Sequence, residues 1–116
     1  MKKESFWQGI EMLPVIDEMV IENINDAHAQ LSFLGSKNQV KETLSNDQLQ
    51  QLINTYEEKS NQAHLLKEQC RLWRNTQHLS DQQKLLLSSL ELNLVRSEKV
   101  SQQILVEIHK QLTDKL

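Results

Sequence analysis

The side chains that could carry out chemistry are few in this chain, and their spacing matches no known reactive arrangement. Cys70 is the only thiol, and its place between Leu66 and Trp73 in an apolar heptad series predicts a buried thiol with a raised pKa. A lone cysteine also excludes an intrachain disulfide and a cysteine-cluster zinc site. The chain has two glycines, so neither a phosphate-binding loop nor a nucleophile elbow can be built. Nucleophilic catalysis is therefore not expected.

The four histidines do not form a metal-binding pattern either. A di-iron carboxylate bundle needs Glu-x-x-His on two helices, and no histidine here follows a glutamate by three residues. The His-Glu-x-x-His pattern of zinc proteases and the Glu-x-x-Glu pairs of helical nucleotide pyrophosphohydrolases are also missing. We therefore predict that the protein is not an enzyme and has no catalytic residues, metal or other cofactor.

Basic side chains recur at steps of three and four along the middle of the chain. This basic face comprises Lys67, Arg71, Arg74 and His78, preceded by His64, and it lies one position beyond the apolar heptad series. Such a row could contact phosphates, which makes nucleic-acid binding one interpretation. Only three of these residues, Lys67, Arg71 and Arg74, carry a permanent positive charge, which is weak evidence for a nucleic-acid-binding surface. The net charge of the chain is also negative, at −3. The sequence favours a solvated or internally paired face, and a nucleic-acid-binding regulator is the alternative hypothesis.

Acidic side chains dominate the N-terminal part of the chain. No Lys or Arg occurs between Glu4 and Ser36, whereas Glu11, Glu22 and Asp26 fall on one side of a helix together with a further glutamate, Glu18. An acidic row on one helix and a basic row on another predict pairing between the two, either within one chain or between two chains.

The composition predicts that helices position all of these residues. The chain of 116 residues contains two Gly and one Pro, and straight-chain helix formers are abundant. This length predicts one domain, which we assign to residues 1–116 as an all-α antiparallel bundle of three long helices. No apolar run approaches the roughly 20 residues that span a bilayer. Glu4 and Gln8 interrupt the segment where a secretory signal would need an apolar core, so a cytoplasmic location is expected.

The central and last helices form a predicted hairpin. Ser45 with Gln48, and Ser80 with Gln83, have the spacing of a capping box, which predicts helices over 46–76 and 81–115. The central helix carries an a/d series of Leu49, Leu52, Tyr56, Lys59, Ala63, Leu66, Cys70 and Trp73. Whether residues 39–44 join this helix is left open by the sequence.

A polar interruption occurs in both helices of the hairpin. Folding the chain at the short break places Lys59 and Ser60 of the central helix near Ser97 and Ser101 of the last helix. We interpret this polar layer as a device that fixes the register of the hairpin rather than as a ligand site.

The first helix is predicted over residues 5–34. Its apolar residues follow one stripe at steps of three and four, and Gly35 supplies a plausible stop. Pro14 lies inside this segment, where it predicts either a new helix that starts there or a kink in one helix.

The first and last helices carry more apolar residues than one buried stripe requires. The last helix has a second row at Leu85, Leu92, Val95 and Val106, and its leucine-rich first half is expected to be enclosed. The second row of the first helix comprises Phe6, Trp7, Met12, Val15, Met19 and Phe33. We predict that this row is a partner or dimer interface, and that the protein is a non-catalytic interaction module (an adaptor, small regulator, inhibitor or chaperone-like binder). A homodimer, another protein partner, or both would cover it.

Overall fold

The computed structural model is an all-α bundle, as the sequence predicts, and it describes residues 9–40, 44–76 and 78–114. A short 3-10 helix, Ile10–Met12, precedes three long α-helices, and the described ranges contain no strand. The long helices are α1 (Leu13–Val40), α2 (Asn46–Thr76) and α3 (Asp81–Asp114).

Both predicted capping boxes are confirmed. The backbone N–H of Ser45 donates to Oε1 of Gln48 at 2.9 Å, and the N–H of Gln48 donates to Oγ of Ser45 at 3.1 Å. Ser80 and Gln83 repeat the arrangement at the start of α3 with the same two distances, 2.9 and 3.1 Å. Each box satisfies two backbone groups that a helix start leaves without partners, so the starts of α2 and α3 are fixed locally.

The first helix differs from its predicted bounds at both ends. Gly9 has an extended backbone and α1 begins at Leu13, which puts Pro14 in the first turn, where the missing N–H costs nothing. The predicted end at Gly35 is wrong, because α1 continues through this glycine to Val40. Gly35 has no positive φ, and a mid-helix glycine costs only about 1 kcal/mol, which the packing of neighbouring Leu34 against the core can offset.

The core consists of two clusters, one in each half of the bundle. The first core cluster comprises Leu13, Ile16, Val20 and Ile24 of α1, Ala63, Cys70 and Trp73 of α2, and Leu87, Leu90 and Leu94 of α3. The second core cluster comprises Ala27 and Leu34 of α1, Leu49, Ile53 and Tyr56 of α2, and Val100, Ile104, Leu105 and Ile108 of α3. The order of these residues makes α2 antiparallel to both other helices, so α1 and α3 run parallel.

Helix α3 is the central element of the bundle. It packs along both α1 and α2, whereas the backbones of α1 and α2 scarcely approach each other. A buried hydrogen bond joins α1 to α3, from Nδ2 of Asn93 to Oδ1 of Asp17 at 3.2 Å. Near the other end, Nε2 of Gln111 donates to the backbone carbonyl of Leu34 at 3.2 Å. The bundle is elongated and flat, with Cα extents of 54 × 30 × 16 Å.

The outer side of α3 is exposed, which corrects the expectation that its leucine-rich first half is enclosed. Leu85 is 74% exposed and Leu92 is 53% exposed, and Val95 and Val106 also face solvent. Because α1 and α2 both cover the same broad side of α3, no described helix remains to cover the opposite side.

Candidate functional site: the groove between α1 and α2

Two depressions lie between α1 and α2, whose backbones scarcely approach each other, and together they form the α1–α2 groove. The α1–α2 groove is lined by Met19, Asn23 and Phe33 of α1 and by Leu52, Lys59 and Leu66 of α2. Beneath its middle, residues of α3, including Ser97 and Ser101, close off a small cavity of about 20 Å³.

The middle of the α1–α2 groove is polar. Nζ of Lys59 donates to Oδ1 of Asn23 at 3.4 Å, and this hydrogen bond spans the groove. Lys59, Ser97 and Ser101 line the same small cavity, so the polar interruptions of α2 and α3 meet as the folded hairpin predicts. This polar layer separates the two core clusters and ties the register of the three helices to one another.

The heptad series of α2 supplies the apolar residues on the α2 wall of the groove. Leu49, Tyr56, Ala63 and Cys70, spaced by seven residues, are all buried. Of the alternate members of the series, Leu52, Lys59 and Leu66 are half-buried and line the groove, whereas the fourth, Trp73, is buried in the first core cluster. One half of the series therefore packs fully into the core, and the other half is partly uncovered from Leu52 to Leu66.

On α1, the predicted interface row divides into buried and exposed parts. Met12 is half-buried and packs against the first core cluster, so part of its side chain already stabilises the fold. Val15 is 56% exposed, Met19 is 45% exposed and Phe33 is 46% exposed. The remaining two predicted interface residues, Phe6 and Trp7, lie outside the described residues.

At the far end of the groove, α1 and the start of α2 enclose a larger apolar depression. Phe33 faces Leu44 and Leu52 across a cavity of about 310 Å³, and Gln48 and Thr55 form its polar rim. The sequence identified Phe33 as an interface residue but missed its two leucine neighbours. Leu44 and Leu52 are half-buried because α1 and α2 do not pack closely against each other. The periodicity of a sequence does not indicate how closely two helices pack.

The acidic residues of α1 have no ionic partners among the described residues. Glu18, Glu22 and Asp26 are exposed and form no ion pair there. Asp26 is nevertheless close enough to α2 to act on Tyr56, whose pKa is raised first by burial and then by the negative charge of Asp26. The rim of the groove on the α1 side is therefore negatively charged.

The basic face of α2 pairs with acids of α3 and of α2 itself rather than with the acidic row of α1. Nη2 of Arg74 contacts Oε1 of Glu91 at 2.6 Å and also donates to Oγ of Ser88 at 2.9 Å. Nε of Arg74 donates to the other oxygen of Glu91 at 3.0 Å. This hydrogen bonding raises the pKa of Arg74 above its ordinary value. Arg71 pairs with Glu68 of its own helix at 2.8 Å.

Lys67 and His64 make a second set of charged contacts on the same face of α2, on the N-terminal side of Arg71 and Arg74. Nζ of Lys67 contacts Oε1 of Glu98 at 2.7 Å, and Nε2 of His64 lies 2.9 Å from Oε2 of the same carboxylate. The hydrogen bond from Lys67 is the main cause that lowers the pKa of Glu98. Oε2 of Glu98 is buried and accepts no hydrogen bond from the described residues. Only His78 of the four predicted basic-face residues has no described ionic partner, and it is exposed.

No reactive or metal-binding arrangement is present in the part of the chain that the structure describes. Cys70 is buried in the first core cluster, and burial is the main cause that raises its pKa to about 12. No group of three His, Cys, Asp or Glu side chains in the described ranges could hold a metal ion. No described helix combines the length and the apolar character that crossing a bilayer requires.

A polar groove on the other side of α2 was not anticipated from the sequence. It lies between α2 and α3, has a volume of about 500 Å³, and is lined chiefly by Glu57, Asn61, Gln102 and His109. These residues are polar positions adjacent to the helix contacts, and no motif distinguishes them from ordinary surface residues.

Comparison with known proteins does not identify a relative. No protein-family model matches the sequence, and the searches of curated proteins and of solved structures gave no significant match.

Proposed function

We propose that this chain is a non-catalytic helical interaction module that binds a protein, either another protein or a second copy of itself, through the outer side of α1. The observation that carries the proposal is the exposure of Val15 (56%) and Met19 (45%), two large apolar side chains one helical turn apart. The core stripe of α1 already packs on the other helices, so these side chains are not needed for its folding. Methionine at such a surface adapts to the shape of a partner.

The alternative proposal, a nucleic-acid-binding regulator that uses the basic face, has less support. Lys67 and Arg74 are engaged with Glu98 and Glu91, so phosphate binding would have to break these ion pairs. The acids that neutralise the cations would also repel a phosphate backbone. Reversing the charges of Arg71 and Arg74 to glutamate would remove a strongly salt-dependent nucleic-acid binding if this alternative were correct.

The proposal places the protein in the cytoplasm, because a single buried cysteine is typical of a reducing compartment. Non-catalytic adaptors, small regulators, inhibitors and chaperone-like binders all fit a bundle of this kind, and fold alone does not distinguish them.

The experiment that tests the proposal is site-specific photocrosslinking of the full chain in cells of the source organism. A photoreactive residue replaces Met19 in one version and Leu92, which is exposed on α3, in the matched control. We expect a discrete crosslinked product from position 19, whose mass identifies a self-complex or a complex with another protein. The product should disappear when Val15→Glu is added, with helicity unchanged by circular dichroism. A product from position 92 alone, or none from either position, would refute the proposal.

A further inference from the structure

The α1–α2 groove is the place where this bundle is incomplete. Two helices that rest on a third and leave a groove between them have the arrangement of a four-helix bundle that lacks one helix. The half-buried residues Leu52 and Leu66 on one wall, with Met19 and Phe33 on the other, provide the apolar contacts that such a helix would make. The proposed function leaves the chemistry of the partner open, and the electrostatics of the groove restrict it.

Acidic side chains accompany the apolar residues on the α1 wall. At about 100° per residue, Val15, Glu22, Asp26 and Phe33 lie within about 40° of one another around the helix axis. Glu22 and Asp26 therefore occupy the stretch between Met19 and Phe33 on the same side of α1. Both are exposed and have no ion pair within the described ranges. A helix in the groove would pass directly beside these two negative charges.

The opposite wall does not neutralise them. The α2 residues that line the groove are apolar or neutral apart from Lys59, and its ammonium group is directed to the amide of Asn23. The basic face of α2 is on the side where α3 supplies Glu91 and Glu98, so its cations are not available to the groove. The groove thus combines apolar walls, which the polar layer at Lys59 interrupts, with negative charge on one rim that no described cation pairs.

This charge distribution argues against a second copy that would pair its α1 with the α1 of the first. Pairing α1 with α1 of another copy would set acids against acids, and α1 has no Lys or Arg before residue 36 to offset the repulsion. A nucleic acid or an anionic lipid surface would be repelled by the same rim. The occupant that fits is a helix with an apolar side to cover the apolar walls and cations at its margin to pair with the acids.

We propose, building on the proposed function, that the α1–α2 groove binds an amphipathic helix of a partner protein whose apolar side is flanked by Lys or Arg. Residues 19–33 of α1 cover about 21 Å, so a helix of about 18 residues, about 27 Å long, spans the groove and extends about two residues beyond it at each end. The partner completes a four-helix bundle diagonally opposite α3. Its apolar residues provide the main part of the affinity, and its cations select the α1 rim over other apolar surfaces.

The test uses the full chain and two synthetic helical peptides of about 18 residues with the same apolar heptad positions. One peptide carries Lys at the flanking positions and the other carries Glu. Binding is measured by fluorescence anisotropy of a labelled peptide at about 0.05 M and about 0.5 M salt. We expect the Lys peptide to bind saturably and roughly tenfold more tightly than the Glu peptide at low salt, with the preference much reduced at high salt.

Two variants of the protein identify the site. Glu22→Lys combined with Asp26→Lys should reverse the preference between the peptides, because the rim becomes positively charged, and both positions are exposed. Leu66→Asp with Met19→Glu should abolish binding of both peptides. The matched control is Leu92→Asp with Val106→Glu on the outer side of α3, which should leave binding of the Lys peptide unchanged.

Each outcome decides a separate part of the proposal. Failure of the Lys peptide to bind, in a protein that still crosslinks from position 19, would overturn the groove as a helix site and leave the proposed function intact. Equal binding of the two peptides would overturn the basic chemistry of the partner. Binding that is lost only in the α3 variant, together with crosslinking only from position 92, would overturn this inference and the proposed function together. A stable dimer in light scattering that Met19→Glu dissociates would identify a second copy as the occupant and refute the basic partner.

Discussion

The two sides of α2 differ in how their charges are used. Towards α3, Lys67 and Arg74 each have a carboxylate partner within 2.7 Å. Towards α1, Lys59 has only a neutral amide at 3.4 Å, and the acids of α1 have no described ionic partner. The cations of α2 are therefore paired with acids on the side that faces α3, whereas on the side that faces α1 the acids of the groove rim have no described partner. The difference shows that the same heptad series can close a seam on one side and leave a binding surface on the other.

The variant with the largest expected effect shortens a buried side chain of α3, the helix on which both walls of the α1–α2 groove rest. Leu94→Ala should destabilise the protein by about 3 kcal/mol, because Leu94 is 1% exposed, packs in the first core cluster and also lines the cavity beneath the groove. Leu92→Ala, two residues away and 53% exposed, is the matched control and should cost less than about 1 kcal/mol. Chemical denaturation of the three proteins measures both values. Similar losses for the two variants would mean that the outer side of α3 is covered in solution.

A second test breaks the attachment of α1 to α3 without touching α2. Asn93→Ala removes the donor at 3.2 Å from Oδ1 of Asp17 and should cost about 2 kcal/mol, because a buried carboxylate then lacks its hydrogen bond. The double variant with Asp17→Ala should recover part of the loss, since no buried polar group is left without a partner. Denaturation midpoints of the two single variants and the double variant complete the cycle. Additive losses would show that the two side chains do not interact.

The third test concerns the ion pairs between α2 and α3, whose contribution to stability depends on pH. Because the pKa of Glu98 is lower in the folded protein than its ordinary value, the pairing stabilises the fold above that ordinary value. The stabilisation is then lost as the pH falls through the lowered pKa. Glu98→Gln should therefore reduce the free energy of unfolding at pH 7, by up to about 1 kcal/mol, and make no difference at a pH below the lowered pKa. Lys67→Met should have the same pH profile. An equal effect of Glu98→Gln at both pH values would mean that the side chain acts through packing rather than charge.

The sequence predicted the helices well where local signals exist. Ser45 and Ser80 with their glutamine partners mark the starts of α2 and α3, and both reciprocal hydrogen bonds are present. At Gly35 the local signal was misleading, because one glycine within a long helix costs less than the surrounding packing provides. Local rules therefore identify helix starts better than they identify an end that tertiary contacts decide.

The candidate site was predicted only in part. Val15, Met19 and Phe33 are exposed because they lie away from the buried apolar stripe of α1, and the helical periodicity of the sequence is enough to predict this. Leu52 and Leu66 could not be assigned to a groove, because a heptad series does not say which of two neighbouring helices packs closely and which stands away. The sequence left open whether the basic face is solvated or internally paired, and it suggested the acidic row of α1 as the partner. In the structure Lys67 and Arg74 pair with Glu98 and Glu91 of α3 instead.

The smallest effect is expected for charge reversal on α1, and it contrasts most clearly with charge reversal at the ion pairs between α2 and α3. Glu22→Lys with Asp26→Lys should change the free energy of unfolding by less than about 0.5 kcal/mol, because both residues are exposed and neither forms an ion pair within the described ranges. Reversing the same number of charges on the other side, with Glu91→Lys and Glu98→Lys, should cost clearly more, since it sets cations against Arg74 and Lys67. Urea denaturation of the two double variants at low and high salt compares them directly. If charge reversal on α1 cost as much as reversal on α3, the acids of α1 would serve the stability of the bundle, and its negative rim would no longer require an external partner.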